Sequence, residues 1–143
     1  MEYKHTQIGY AIIWVSAAAA VLVVIGAIVK PPPHREILLV VCILFLVTIP
    51  LFYKLTITID NEGLRASFGV GLIHKEIPLA QIVGCESIRI RWWYGWGIHL
   101  TPYGWLYNVA GWEAVAITLR NGRKFAVGTD DPYGLVAAIR RSA

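Results

Sequence analysis

Charge is the commodity this chain has least of. Of its 143 residues only 15% are charged, against 57% hydrophobic, whereas soluble domains carry about a quarter charged residues. That deficit excludes an ordinary soluble globule and implies a membrane. Cysteine is scarce too: Cys42 lies in an apolar run and Cys85 in the polar part, so neither a disulfide framework nor a cysteine-based metal site is expected. The four histidines, His5, His34, His74 and His99, are scattered and stand beside no Cys or carboxylate at zinc spacing, so no metal or other cofactor is expected. The length excludes a multidomain enzyme, and no internal repeat is present. A net charge of +4 suits an anionic surface. The basic residues are interspersed with acids rather than forming a stripe, so nucleic acid is not an expected partner.

Long apolar runs are what the sequence has instead. Residues 8–29 are 22 consecutive uncharged residues, enough at about 1.5 Å per residue to cross a hydrocarbon core of about 30 Å. Residues 37–53 add 17 more, with Tyr53 and Lys54 placed to anchor the end at the interface. Between the runs, Lys30, three prolines, His34, Arg35 and Glu36 cannot continue a helix, so the two spans form an antiparallel hairpin. Ser16 and Ala20, four apart, predict a small-residue strip for close approach of the second helix. A leader cleaved near Ala17–Ala20 is the other reading of the first run. Lys4, Lys54 and Arg65 on one side of the hairpin outnumber Lys30 and Arg35 on the other, which places both chain ends in the cytoplasm by the positive-inside rule.

From Lys54 onward the apolar residues alternate. Leu55, Ile57 and Ile59, then Leu64, Ala66 and Phe68 across Asn61-Glu62-Gly63, predict a β-hairpin. Segments 72–77, 82–90, 98–100, 104–109, 114–119 and 124–129 read the same way, about seven strands in all. Val115, Ile117 and Leu119 are expected to face Phe125 and Val127 across Asn121-Gly122, a dipeptide suited to the positive φ angles of a tight turn. Asp130 or Asp131 before Pro132 starts a C-terminal helix with Leu135, Ala138 and Ile139 on its buried face. The chain therefore divides into an N-terminal segment and transmembrane hairpin, 1–53, and a β domain, 54–143, expected to fold on its own.

The wording of four stretches, LTITIDNEGLRASFG at 55–69, KEIPLAQIVG at 75–84, WWYGWGIHLTPYGWLYNVAG at 92–111 and AVAITLRNGRKFAVGTDDP at 114–132, resembles small bacterial membrane-anchored proteins with a pleckstrin-homology-like (PH-like) domain. The resemblance implies an antiparallel barrel or sandwich of two near-orthogonal sheets, capped by the terminal helix, and a binding module without catalytic residues. It also implies a bacterial inner (cytoplasmic) membrane protein, multi-pass, with its PH-like domain in the cytoplasm. The first turn, Asn61-Glu62-Gly63, is short and acidic where lipid-binding members carry basic residues, so phosphoinositide recognition is not implied.

The chemistry-bearing segments are few. Gly69-Val70-Gly71 and Gly95-Trp96-Gly97 open no helix and read as turns rather than phosphate loops. An enzyme within the membrane would need an ionisable side chain in a span, and the runs hold none besides Cys42 and the tyrosines near their ends, Tyr10 and Tyr53. Aromatic residues are the exception to this plainness. Trp92, Trp93, Trp96, Trp105 and Trp112 fall within 21 residues, preceded by Arg89 and Arg91, more rings than a core of this size can bury. Arg89, Arg91, Trp92, Trp93, Tyr94 and Trp96 are the expected contact surface. It would meet the bilayer headgroups, another membrane protein or a second copy of the chain. The expected function is thus a binding or scaffolding module. The alternative is an accessory or assembly subunit of a larger membrane complex, bound mainly through its hairpin.

Overall fold

The computed structural model describes residues 3–94 and 97–142. Two helices, α1 (Tyr10–Val29) and α2 (His34–Phe52), form an antiparallel pair, each long and apolar enough to cross a membrane. The helix α2 starts earlier than the uncharged run because Glu36 in its first turn complements the positive end of the helix dipole. Ser16, Ala20 and Ala27 of α1 are buried, as is Cys42 of α2. The Cys42 thiol lies 3.8 Å from the Ala20 carbonyl. The small-residue strip therefore does bring the helices together, and it runs further along α1 than Ser16 and Ala20 alone.

The N-terminal segment is not simply a leader to the hairpin. Residues Tyr3–Ile8 form a strand, β1, paired antiparallel with β2 (Lys54–Ile59) from Tyr3↔Ile59 to Ile8↔Lys54. Periodicity did not announce it, because its inward positions are Tyr3, His5 and Gln7, with Gln7 buried. Gly9 N–H donates to the Tyr53 carbonyl at 2.7 Å and closes the junction. The helical pair is thus an insertion between the first two strands of a sheet.

That sheet is a meander, β1-β2-β3-β4, with β3 at Gly63–Phe68 and β4 at Ile73–Pro78. Its distal turn is organised by Asp60, whose carboxylate accepts the Glu62 and Gly63 amides at 2.8 and 3.0 Å. The Gly63 amide, then that of Glu62, holds this carboxyl below its ordinary pKa. The second sheet contains β5 (Ile82–Arg89), β6 (Gly97–Thr101), β7 (Gly104–Asn108), β8 (Glu113–Leu119) and β9 (Lys124–Gly128), in the order β5-β8-β9-β7-β6. It corrects the expectation of purely antiparallel sheets: β7 and β9 run parallel, because β9 enters between two strands that already point opposite ways. The described residues hold nine strands rather than about seven.

The β8–β9 register matches expectation, with Val115↔Val127 and Ile117↔Phe125, but the turn is looser than a two-residue one. Leu119 N–H bonds to the Arg123 carbonyl and Gly122 N–H to the Leu119 carbonyl. This leaves 120–122 as a three-residue loop, with only Gly122, at φ +83°, left-handed. The last element is α3 (Pro132–Ser142). Asp131 caps it, accepting the Gly134 amide at 3.1 Å, and Leu135, Ala138 and Ile139 are buried. The Tyr3 hydroxyl donates to the other oxygen of Asp131 at 3.0 Å, and His5 contacts Asp130, so β1 is tied to the start of α3. Burial, then the Asp131 contact, pushes the Tyr3 phenol well above its ordinary pKa. One core joins both sheets to α3. A column of rings, Phe52, Phe68, Tyr107 and Phe125, with centroids 5.0–5.3 Å apart, runs from the last turn of α2 through both sheets.

Candidate binding surface

The strand β5 carries the candidate residues to the end of the second sheet. Arg89 is its last residue, Ile90 and Arg91 follow, and Trp92–Tyr94 make one 3₁₀ turn. Ile90 N–H donates to the Trp112 carbonyl at 2.5 Å, fastening this segment to the loop before β8. The result is a shallow groove of about 440 Å³ lined by Arg89, Ile90, Arg91, Trp93 and Trp112. The Arg91 guanidinium carbon lies 5.0 Å from the Trp93 ring centroid, a cation–π distance. Trp93 is 55% exposed and Trp112 39%, and both arginines are exposed. The ledge therefore has aromatic walls with two cations at its rim, suited to an anionic group with an apolar portion.

Not all expected contact residues share one role. Arg89, Arg91 and Trp93 are brought together. Tyr94 is half-buried and packs beside the small cluster Ile90, Leu106, Ala114 and Ala126. Trp92 begins the 3₁₀ turn, and Trp96 lies outside the described residues. Trp112 is the lining residue that the sequence did not single out for this surface. It lies about twenty positions downstream of Arg91, and the β5–β8 pairing, which ends at Arg89↔Glu113, brings it back together with the Ile90–Trp112 hydrogen bond. Trp105, 53% exposed on β7, stands away from the groove. The exposed rings agree with an aromatic content beyond what the core can hold.

The loop that leads from β7 to Trp112 begins beside the helices. Val109, just beyond β7, packs on Gly9, where a Cβ would lie 3.1 Å from the Val109 side chain. The Ala110 carbonyl accepts a hydrogen bond from Gln7 at 3.3 Å, and Trp112 is two residues further on. Among the described residues no group of three or more His, Cys, Asp or Glu is arranged to hold a metal. Asp130 and Asp131 are engaged with His5, Tyr3 and the α3 cap. Cys85 sits beneath α3 with its sulfur 4.0 Å from the Val136 carbonyl. Burial raises its thiol pKa, with Arg140 acting in the opposite direction.

No protein-family model, curated protein or solved structure matches this chain.

Proposed function

We propose that this is a non-enzymatic, membrane-anchored binding and scaffolding protein. A PH-like domain on the cytoplasmic face of a bacterial inner membrane presents the Arg89–Arg91–Trp93–Trp112 groove at headgroup level to a lipid headgroup or another membrane protein. The PH-like reading is supported by strand order. Without the helical insertion and the β6–β7 hairpin, a four-stranded meander, three antiparallel strands (β5, β8, β9) and a terminal helix remain, the seven-strand plan that the resemblance implies. The observation that carries the functional reading is the pairing of two exposed arginines with half-exposed tryptophans in one groove.

The test is purification of the full chain from native membranes in mild detergent, with quantification of retained lipids and proteins. Each basic residue near an anionic surface contributes about 1 kcal/mol. Arg89→Glu with Arg91→Glu is therefore expected to weaken anionic lipid retention about 30-fold or more, and high salt to mimic the change. If the ligand is a protein, Trp93→Ala is expected to abolish its co-purification with little salt dependence, because a ring at an interface centre is worth about 2 kcal/mol or more. A steep fall in melting temperature for Trp93→Ala, with every co-purified species unchanged, would make this ring a packing residue and refute the surface.

A further inference from the structure

The turn between β3 and β4 has a feature that neither the core nor the groove explains. Residues 69–73 carry no charge, yet Val70 is 62% and Leu72 74% exposed. The turn is also fastened to the end of α2. Gly69 N–H donates to the Lys54 carbonyl at 2.8 Å and Val70 N–H to the Pro50 carbonyl at 3.2 Å. Pro50 lies inside α2, two residues before its end, so the backbone of Val70 is level with the last turn of an apolar helix rather than beyond it. Its amide also satisfies a helix-terminal carbonyl, which would be costly to leave unpaired near hydrocarbon. Tyr10 at the start of α1 is 63% exposed, and the Lys54 ammonium lies over the Tyr53 ring at 5.2 Å, as interface anchors do. The β2–β3 turn at the opposite end of the same sheet contains Asp60 and Glu62. Charge is thus excluded from the turn beside the helices and present at the one away from them.

We infer that the β3–β4 turn is a third membrane contact, with Val70 and Leu72 inserted at the boundary between lipid headgroups and acyl chains beside the last turn of α2. The partner is the lipid surface itself. With the two helices this contact fixes the tilt of the domain on the bilayer. The inference rests on the reading of α1 and α2 as membrane-spanning.

The experiment reconstitutes the full chain in phosphatidylcholine vesicles with an environment-sensitive fluorophore on one introduced cysteine: Leu72→Cys or Val70→Cys in the turn, Leu44→Cys midway along α2, or Ala80→Cys on an exposed turn beyond β4. The parent chain supplies the background from Cys42 and Cys85, and an unchanged melt certifies each labelled variant. Probes at 70 and 72 are expected to emit to the blue of the probe at 80. Lipids brominated near the headgroup should quench them most strongly, and lipids brominated near the chain ends should quench the probe at 44. Water-like emission and no quenching at both 70 and 72, with 44 still quenched, would overturn the inference while leaving the anchor intact. Loss of quenching at 44 as well would overturn the spanning reading and the inference with it.

Discussion

Joining Gly9 to Tyr53 through an Asn-Gly dipeptide, so that residues 10–52 are removed, is expected to yield a soluble, cooperatively folding β domain, whereas residues 54–143 alone are expected to aggregate. The two products differ mainly in β1. All six of its residues pair with β2, and Tyr3 and His5 tie it to Asp131 and Asp130. Each interstrand hydrogen bond contributes a net of about 0.5–1.5 kcal/mol. Losing the strand therefore removes several kcal/mol from a total that is about 5–15 kcal/mol for a domain, and it leaves β2 as an unprotected edge. The junction is already closed by the bond from Gly9 to Tyr53, so a tight turn needs little rearrangement. Removing the helices forfeits the packing of Ile12 and Phe52 on the core, at about 1.5–3 kcal/mol for each large apolar side chain, so the joined domain should be less stable than the parent but folded. Dispersed amide resonances and a single melt are the expected readout. Equal folding of the 54–143 fragment would show that β1 is dispensable.

The second large effect is expected from Gly69→Ala. Gly69 has φ +51°, and a Cβ there would lie 2.0 Å from the Pro50 carbonyl oxygen and 2.6 Å from that of Leu51. Left-handed backbone costs an alanine about 1–2 kcal/mol. The clash adds to this because both obstacles are backbone in the last turn of α2, and a total above about 3 kcal/mol is expected. Gly122→Ala is the comparison: its φ is +83°, but nothing lies within 4 Å of the added carbon, so it incurs only the conformational cost. At about 2–4 °C per kcal/mol for a chain of this size, melting temperature in detergent should fall by roughly 10 °C or more for Gly69→Ala and by a few degrees for Gly122→Ala. Equal losses would mean that the turn is not held against the helix.

The elements legible in the sequence are those whose own residues determine them. The apolar runs are legible because nothing but a long helix accommodates so many uncharged residues. The strands β2, β3, β8 and β9 are legible from their alternation, and α3 from Asp131, Pro132 and its apolar face. What escaped depends on partners that the sequence does not display. The strand β1 buries Gln7 and presents no apolar stripe, so only its register with β2 reveals it. The parallel β7–β9 pairing is a choice of neighbour, and alternation is the same for either neighbour. On the candidate surface, Arg89, Arg91 and Trp93 come close through adjacency along the chain. Trp112 arrives through the pairing of β8 with β5, and Tyr94 turns toward the interior although Trp93 beside it does not. Cys85, outwardly a convenient thiol in a polar segment, is shielded by α3.

Topology tests the central claim most directly, and the shielding of Cys85 makes introduced thiols the better reporters. His34→Cys places one at the tip of the helical hairpin and Ala80→Cys one on the β domain, both at exposed positions, with the parent chain as background. In intact cells whose outer barrier has been made permeable, a membrane-impermeant thiol reagent is expected to label the cysteine at 34. The cysteine at 80 should stay protected until the membrane that holds the helices is broken. Labelling at 80 with protection at 34 would invert the orientation, and labelling at both before lysis would contradict a hairpin that spans the membrane.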